Sequence, residues 1–124
     1  MDKIIQDNQV SEYQKAKITA EGAGVIVLEN NPCFEIWLLL HFVSTGKLFN
    51  NCSEVVNELS NRIAKYSKSQ KFLINSRLYH RYRLELQAKA IPNAKKLEVS
   101  RTLQDILYPR AETFRFFEWY YINN

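Results

Sequence analysis

The chain has 124 residues, 46% hydrophobic and 24% charged, the range of an ordinary globular domain that buries roughly two thirds of its unfolded surface. Seventeen Lys and Arg against thirteen Asp and Glu leave a formal charge of +4, which favours nucleic acid or an acidic partner only weakly, because many proteins that bind neither carry as much. No apolar run reaches the ~18 residues of a membrane span, the opening MDKIIQDNQV lacks the apolar stretch of a signal peptide, and Cys33 and Cys52 form no Cys-x-x-Cys pair, so a single cytoplasmic domain with reduced thiols is expected.

No repeat, low-complexity tract or Pro/Gly/Ser-rich linker divides the chain. From Ser11, SEYQKAKITAEG predicts a short polar helix with serine at its N-cap and glycine at its C-terminal end. GVIVLE follows, short and β-branched, bounded by Gly24 and by Asn30 and Asn31, and it predicts one buried strand. The remainder reads as helix: Pro32 to Phe42, Ser53 to about Tyr66, about Ser69 to Ile91, NAKKLEVSRTLQDIL after Pro92, and AETFRFFEWYYI after Pro109. The fold class is therefore mainly α with one short β-strand.

A lone strand leaves its backbone donors and acceptors unpaired. Val25, Ile26, Val27 and Leu28 are thus expected to pair with a second copy, making a homodimer, or to belong to a larger α/β domain of which this chain is the C-terminal part. The residues before Ser11 read as too short and polar to supply the missing sheet.

One carboxylate stands out. In NNPCFEIWLLLHF, Asn31 is a strong N-cap residue and Pro32 suits a first helical position, so Glu35 falls one turn into a helix that is apolar all round. At about 100° per residue it shares a face with Leu38, Leu39 and Phe42, while His41 lies off that face. A buried carboxylate without a partner protonates or costs several kcal/mol, so Glu35 is expected to have one: first-turn amides with Asn31, a basic side chain such as Arg77 or Arg81, or a divalent metal.

Other constellations have plainer readings beside the functional ones. Arg77 and Arg81, one helical turn apart with Glu85 beyond, can follow a phosphate backbone, although Arg81 with Glu85 is an ordinary solvated pair. Tyr79, Tyr82 and Leu86 read as a core stripe before they read as a stacking platform. Phe114, Phe117, Trp119, Tyr120 and Tyr121 crowd the last helix, where an aromatic surplus marks either packing or a partner surface. His41 and His80 stand alone, with no nucleophile at helical spacing on the same face.

The segment NNPCFEIWLLLHF resembles the Asn-Pro-Cys-Phe-Glu signature and following helix of the RloB-like family, proteins associated with abortive phage infection and restriction–modification loci. AKAIPNAKKL and YPRAETFRFFEWY resemble that family's later segments. The resemblance implies phage defence, often beside an AAA-type ATPase, in a domain similar to Toprim-type metal-dependent nucleases that use Mg²⁺ or Mn²⁺. By the same resemblance Glu35 organises the metal site and Asn31 shapes its loop. The family's Asp-x-Asp motif has no counterpart: the aspartates are Asp2, Asp7 and Asp105. The resemblance therefore implies a back half that is inactive alone, and the other reading is a non-catalytic module that binds an ATPase or a second copy.

Overall fold

Ser11 opens the first helix as its sequence predicts. In the computed structural model, which describes residues 11–123, the Ser11 hydroxyl accepts from the Gln14 amide at 3.1 Å and α1 spans Glu12–Gly22. Its end is a Schellman motif: Gly24 takes φ +88°, its N–H reaches Glu21 O at 3.1 Å, and Val25 N–H reaches Ala20 O at 3.0 Å. The left-handed φ is what requires glycine there. The opening MDKIIQDNQV, expected to add no strand, lies outside the described residues.

Residues 25–28, predicted as a strand, join no ladder, and Val25 and Ile26 are exposed. The strand begins later, as β1 (Asn30–Asn31), and pairs antiparallel with β2 (Arg110–Ala111), Asn30 opposite Ala111 and Asn31 opposite Arg110. The strand expected over residues 25–28 is therefore not formed, and the two residues that do pair find their partner in β2 of the same chain. Side chains complete what so short a ladder cannot: Asn30 accepts from the Glu112 amide at 3.1 Å and donates to Thr113 Oγ1 at 2.7 Å, while the Glu112 amide donates to Glu29 O at 2.8 Å.

The helix predicted over Pro32 to Phe42 shortens to α2 (Glu35–Leu39), continued to Phe42 by tight turns. Asn31 is a strand residue here and not its N-cap; Phe34 occupies that place without a side-chain cap. Ile36, Trp37, Leu38, Leu39 and Leu40 are all buried, so α2 forms the centre of the core, as its all-round apolar sequence requires. α3 (Cys52–Ser60), capped by Asn51, lays Val55 and Leu59 into the core cluster with Ile63 beyond it, and stops short of the predicted Tyr66 in a run of turns with Lys65 at φ +59°.

The long helix predicted from Ser69 breaks where no glycine or proline signals it. Arg77, at φ +51° and ψ 52°, separates α4 (Gln70–Ser76) from α5 (Leu78–Glu85). The break predicted at Pro92 does not occur: a π-helical segment (Leu86–Ala90) leads directly into α6 (Ile91–Leu103). Proline lacks an N–H and crowds the carbonyl four residues back, and a widened turn just before it relieves both faults. After Pro109 the chain first forms β2 and only then α7 (Phe114–Asn123). The result is mainly helical, as expected, with a short two-stranded sheet. Leu86, Ala90, Ala94, Leu97 and Phe114 close the core around α2. Cys33 and Cys52, expected as reduced thiols, are joined by a disulfide that ties the turn before α2 to the first residue of α3.

Candidate functional site

Glu35 is buried to 4% exposure at the first residue of α2, and it has the partner that burial demands. The partner is neither Arg77 nor Arg81. Tyr66, in the turns after α3, donates its hydroxyl to Glu35 Oε2 at 2.5 Å, and Lys68 donates to Oε1 at 2.9 Å. Burial pushes the carboxyl up, but the hydrogen bonds from Tyr66 and Lys68 outweigh it and hold the group below its ordinary 4.5. Burial and the Glu35 contact push the Tyr66 hydroxyl well above its usual value.

The surroundings of Glu35 do not suit magnesium or manganese. Such hard cations take oxygen ligands, magnesium at about 2.0–2.1 Å in a near-octahedral shell. What faces this carboxylate among the described residues is an ammonium, a phenol that donates its proton, and sulfur: Cys52 Sγ lies 3.7 Å from Oε1, and one donor atom from each of Cys33, Glu35 and Cys52 lies within 4.8 Å of the others.

A second carboxylate, one that sequence reasoning passed over as the end of the apolar run, carries a denser network. Glu29 receives the Tyr13 hydroxyl at 2.7 Å, the Tyr108 hydroxyl at 2.6 Å and the Lys17 ammonium at 2.5 Å. Burial again pushes the carboxyl up, and the bonds from Lys17, Tyr108 and Tyr13 together hold it below its ordinary value. Tyr13 and Lys17 sit at i and i+4 on α1, a helix with no buried residue, and through them α1 is tied to Glu29. Asn31 belongs to this corner, lining a cleft with Glu29, Asn30 and Tyr108; the structure gives it different neighbours from Glu35.

Arg77 and Arg81 are both exposed, Arg77 at the helix break and Arg81 over the Tyr82 ring at 5.2 Å. They share no continuous helix face of the kind the sequence predicts. Of the supposed core stripe, Leu86 is buried and Tyr82 packs edge-on against Phe42, while Tyr79 stays half exposed and stacks on Phe117. His41 is a core histidine whose Nδ1 bonds Trp37 O at 2.9 Å, and burial keeps its pKa below 6.5. In the last helix Phe114 is buried, whereas Trp119 and Tyr120 are exposed.

Arg101 was invisible in the sequence. It is fully buried, pairs with no carboxylate among the described residues, and spends its guanidinium on Pro109 O at 2.9 Å, Gly46 O at 2.9 Å and Gln104 Oε1 at 2.7 Å. A lone arginine in a helix that otherwise reads as solvated gives no periodic signal of this.

A family model described as RloB-like protein matches residues 1–112. No curated protein and no solved structure shows a significant match to the chain.

Proposed function

The chain belongs to the RloB-like family, and from that membership, which supports a role associated with phage defence and restriction–modification, we propose that this chain serves such a system without cutting nucleic acid by itself. The observation that carries this reading is the set of groups that meet at Glu35, an ammonium, a phenol that donates its proton and two sulfurs, where a two-metal nuclease needs oxygen ligands around its ions. Glu29 likewise faces an ammonium and two phenols. In the wider Toprim-like family domain, a Mg²⁺ or Mn²⁺ centre would draw its oxygen ligands from residues other than this pair, with Asn31 shaping the neighbouring loop. Arg77 and Arg81, exposed and cationic, remain available to a phosphate backbone in that setting. A cytoplasmic location belongs to the same proposal; no helix among the described residues is long and apolar enough to cross a membrane.

The test is direct. Purified chain incubated with single- and double-stranded DNA and RNA, with magnesium and then manganese, is expected to leave them intact. Cleavage that Glu35→Gln abolishes would overturn the reading.

A second reading has its own observation. Phe116 and Trp119 of α7, both exposed, line an apolar cleft with Ile26 and Leu28, and Arg115 stands at its side. Exposed apolar surface of this kind supports a docking role toward an AAA-type ATPase or a second copy. Sedimentation of the wild type and of Trp119→Glu, alone and with an AAA-type ATPase added, separates the two partners: the substitution should abolish whichever association the wild type shows.

A further inference from the structure

The corner where Cys33, Glu35 and Cys52 meet fits a different kind of ion from the hard cations it excludes. We propose that, once the disulfide is reduced, the two thiolates and the Glu35 carboxylate hold a thiophilic divalent cation of the zinc type. The proposal does not depend on the functional reading above.

Geometry carries it first. The three donor atoms lie within 4.8 Å of one another. In a tetrahedral zinc site, with sulfur at about 2.3 Å and carboxylate oxygen at about 2.0–2.2 Å, donors stand roughly 3.4–3.8 Å apart, so one ion reaches all three after the sulfurs part. The backbone places them from two directions: Cys33 and Glu35 flank the start of α2, and Cys52 opens α3.

The surroundings carry it further. Tyr66 holds Glu35 Oε2 from behind, which orients the carboxylate as an outer partner orients a metal ligand and leaves Oε1 turned toward Cys52 Sγ at 3.7 Å. Lys68, which occupies Oε1, has a side chain 57% exposed and is free to withdraw into solvent. A cleft lined by Cys52, Ser53, Asn57 and Lys68 opens beside the sulfur and gives a fourth ligand, water or another donor, a way in. Charge suits a dication too: two thiolates and a carboxylate around it sum to minus one, which the half-open corner leaves in reach of solvent.

Both steps balance. A cellular thiol of the glutathione class reduces the disulfide: two RSH supply two electrons and two protons, giving the protein dithiol and RSSR. The dication then binds and the two thiol protons leave to solvent.

These are the chain's two cysteines, so any thiolate–metal absorption reports this site alone. The experiment titrates the full chain with Co²⁺, reduced by a phosphine or left oxidised, and then adds Zn²⁺. The reduced protein is expected to develop a thiolate-to-cobalt charge-transfer band that saturates at one equivalent and that Zn²⁺ erases, and the oxidised protein none. Against a chromophoric chelator, Tyr66→Phe should bind Zn²⁺ roughly tenfold more weakly. Lys68→Met, at an exposed position, should bind it more tightly, because the competing ammonium is gone. Circular dichroism of each variant separates lost ligands from lost fold. A reduced, folded wild type without the band, a band that survives in Cys33→Ser with Cys52→Ser, or Zn²⁺ affinity indifferent to both Tyr66→Phe and Lys68→Met would each overturn the proposal.

Discussion

Tyr66 donates its hydroxyl to Glu35 Oε2 at 2.5 Å, a bond between the turns that follow α3 and the first residue of α2. It gives a carboxylate at 4% exposure the donor that its burial requires, and Lys68 supplies the opposite charge from a more solvated position. The two partners are therefore unequal. Glu35→Ala, which strands the Tyr66 phenol and breaks up the pair with Lys68, should cost the most, roughly 3 kcal/mol. Tyr66→Phe should cost roughly 1.5–3 kcal/mol, as for a hydrogen bond to a charged group, and Lys68→Met under about 1 kcal/mol because solvent screens it. Urea unfolding of the three variants checks the order; a Lys68→Met loss as large as that of Tyr66→Phe would contradict it.

The pH dependence follows from the same contacts. Glu35 and Glu29 both titrate below their ordinary 4.5 in the folded chain. A carboxylate depressed on folding adds stability that is complete above its unfolded value and is lost as the pH falls through the folded one. Stability should thus hold from neutral pH down to about 4.5 and drop below it. In Glu35→Gln that acid limb should be shallower, since one of the two groups no longer titrates. Urea midpoints measured between about pH 6 and about pH 3 read the difference.

How far the sequence foretells this corner depends on the range of the forces involved. That Glu35 would be buried and paired was legible, because Ile36 to Phe42 leave its helix no polar face. Its partners were not: Tyr66 and Lys68 lie in turns 31 and 33 residues away, and nothing periodic points from one to the other. β2 was equally hidden, since Arg110 and Ala111 carry no alternation and gain strand geometry from Asn31 and Asn30 across the chain. Proline misled in the other direction. Pro92 is the stronger local signal for a break, yet the π segment before it absorbs the defect, and the chain breaks at Arg77 instead. The capping of α1 by Ser11 and of α3 by Asn51 is decided within four residues and is open to local reading.

The Cys33–Cys52 bond, at a sequence separation of 19, closes a loop that contains α2 and ends at the first residue of α3. Cross-linking a loop of about that length restricts the unfolded chain by roughly 3 kcal/mol in the chain-entropy account. Reduction should therefore lower the urea midpoint without changing the slope much, and Cys33→Ser with Cys52→Ser should match the reduced wild type. A double variant as stable as the oxidised protein would show that the bond adds nothing to stability.

Arg101 is expected to be among the most sensitive positions. Its guanidinium donates to Pro109 O, just before β2, and to Gly46 O, in the loop before α3, so it pins two irregular segments to α6. Burial, with the Arg110 charge nearby, pushes its pKa down from 12.5, and its donors are spent on carbonyl oxygens. Arg101→Met removes those donors and leaves the carbonyls unpaired, at a cost of roughly 3 kcal/mol or more. Arg101→Lys keeps the charge and loses the planar fork that reaches two directions at once, so it should be destabilising as well. Urea unfolding checks both; a lysine variant at wild-type stability would show that charge, not fork geometry, is what the site requires.

The last prediction concerns α1, which touches the rest of the protein in an unusual way. It contributes no buried residue, and Tyr13 and Lys17 reach Glu29 from one face of it. An isolated helix of 11 residues is marginal in water even with good caps, so without that grip the Ser11 cap and the Schellman end cannot hold it. Tyr13→Phe combined with Lys17→Met removes the two donors that α1 gives Glu29 and leaves Tyr108. Hydrogen exchange across Glu12–Gly22 should then accelerate strongly, while the amides of α6, closed into the core through Ala94 and Leu97, keep their protection. If α1 stays as protected in the double variant as in the wild type, something other than the Glu29 network holds it. If α6 loosens with it, the network supports the whole fold and not one helix.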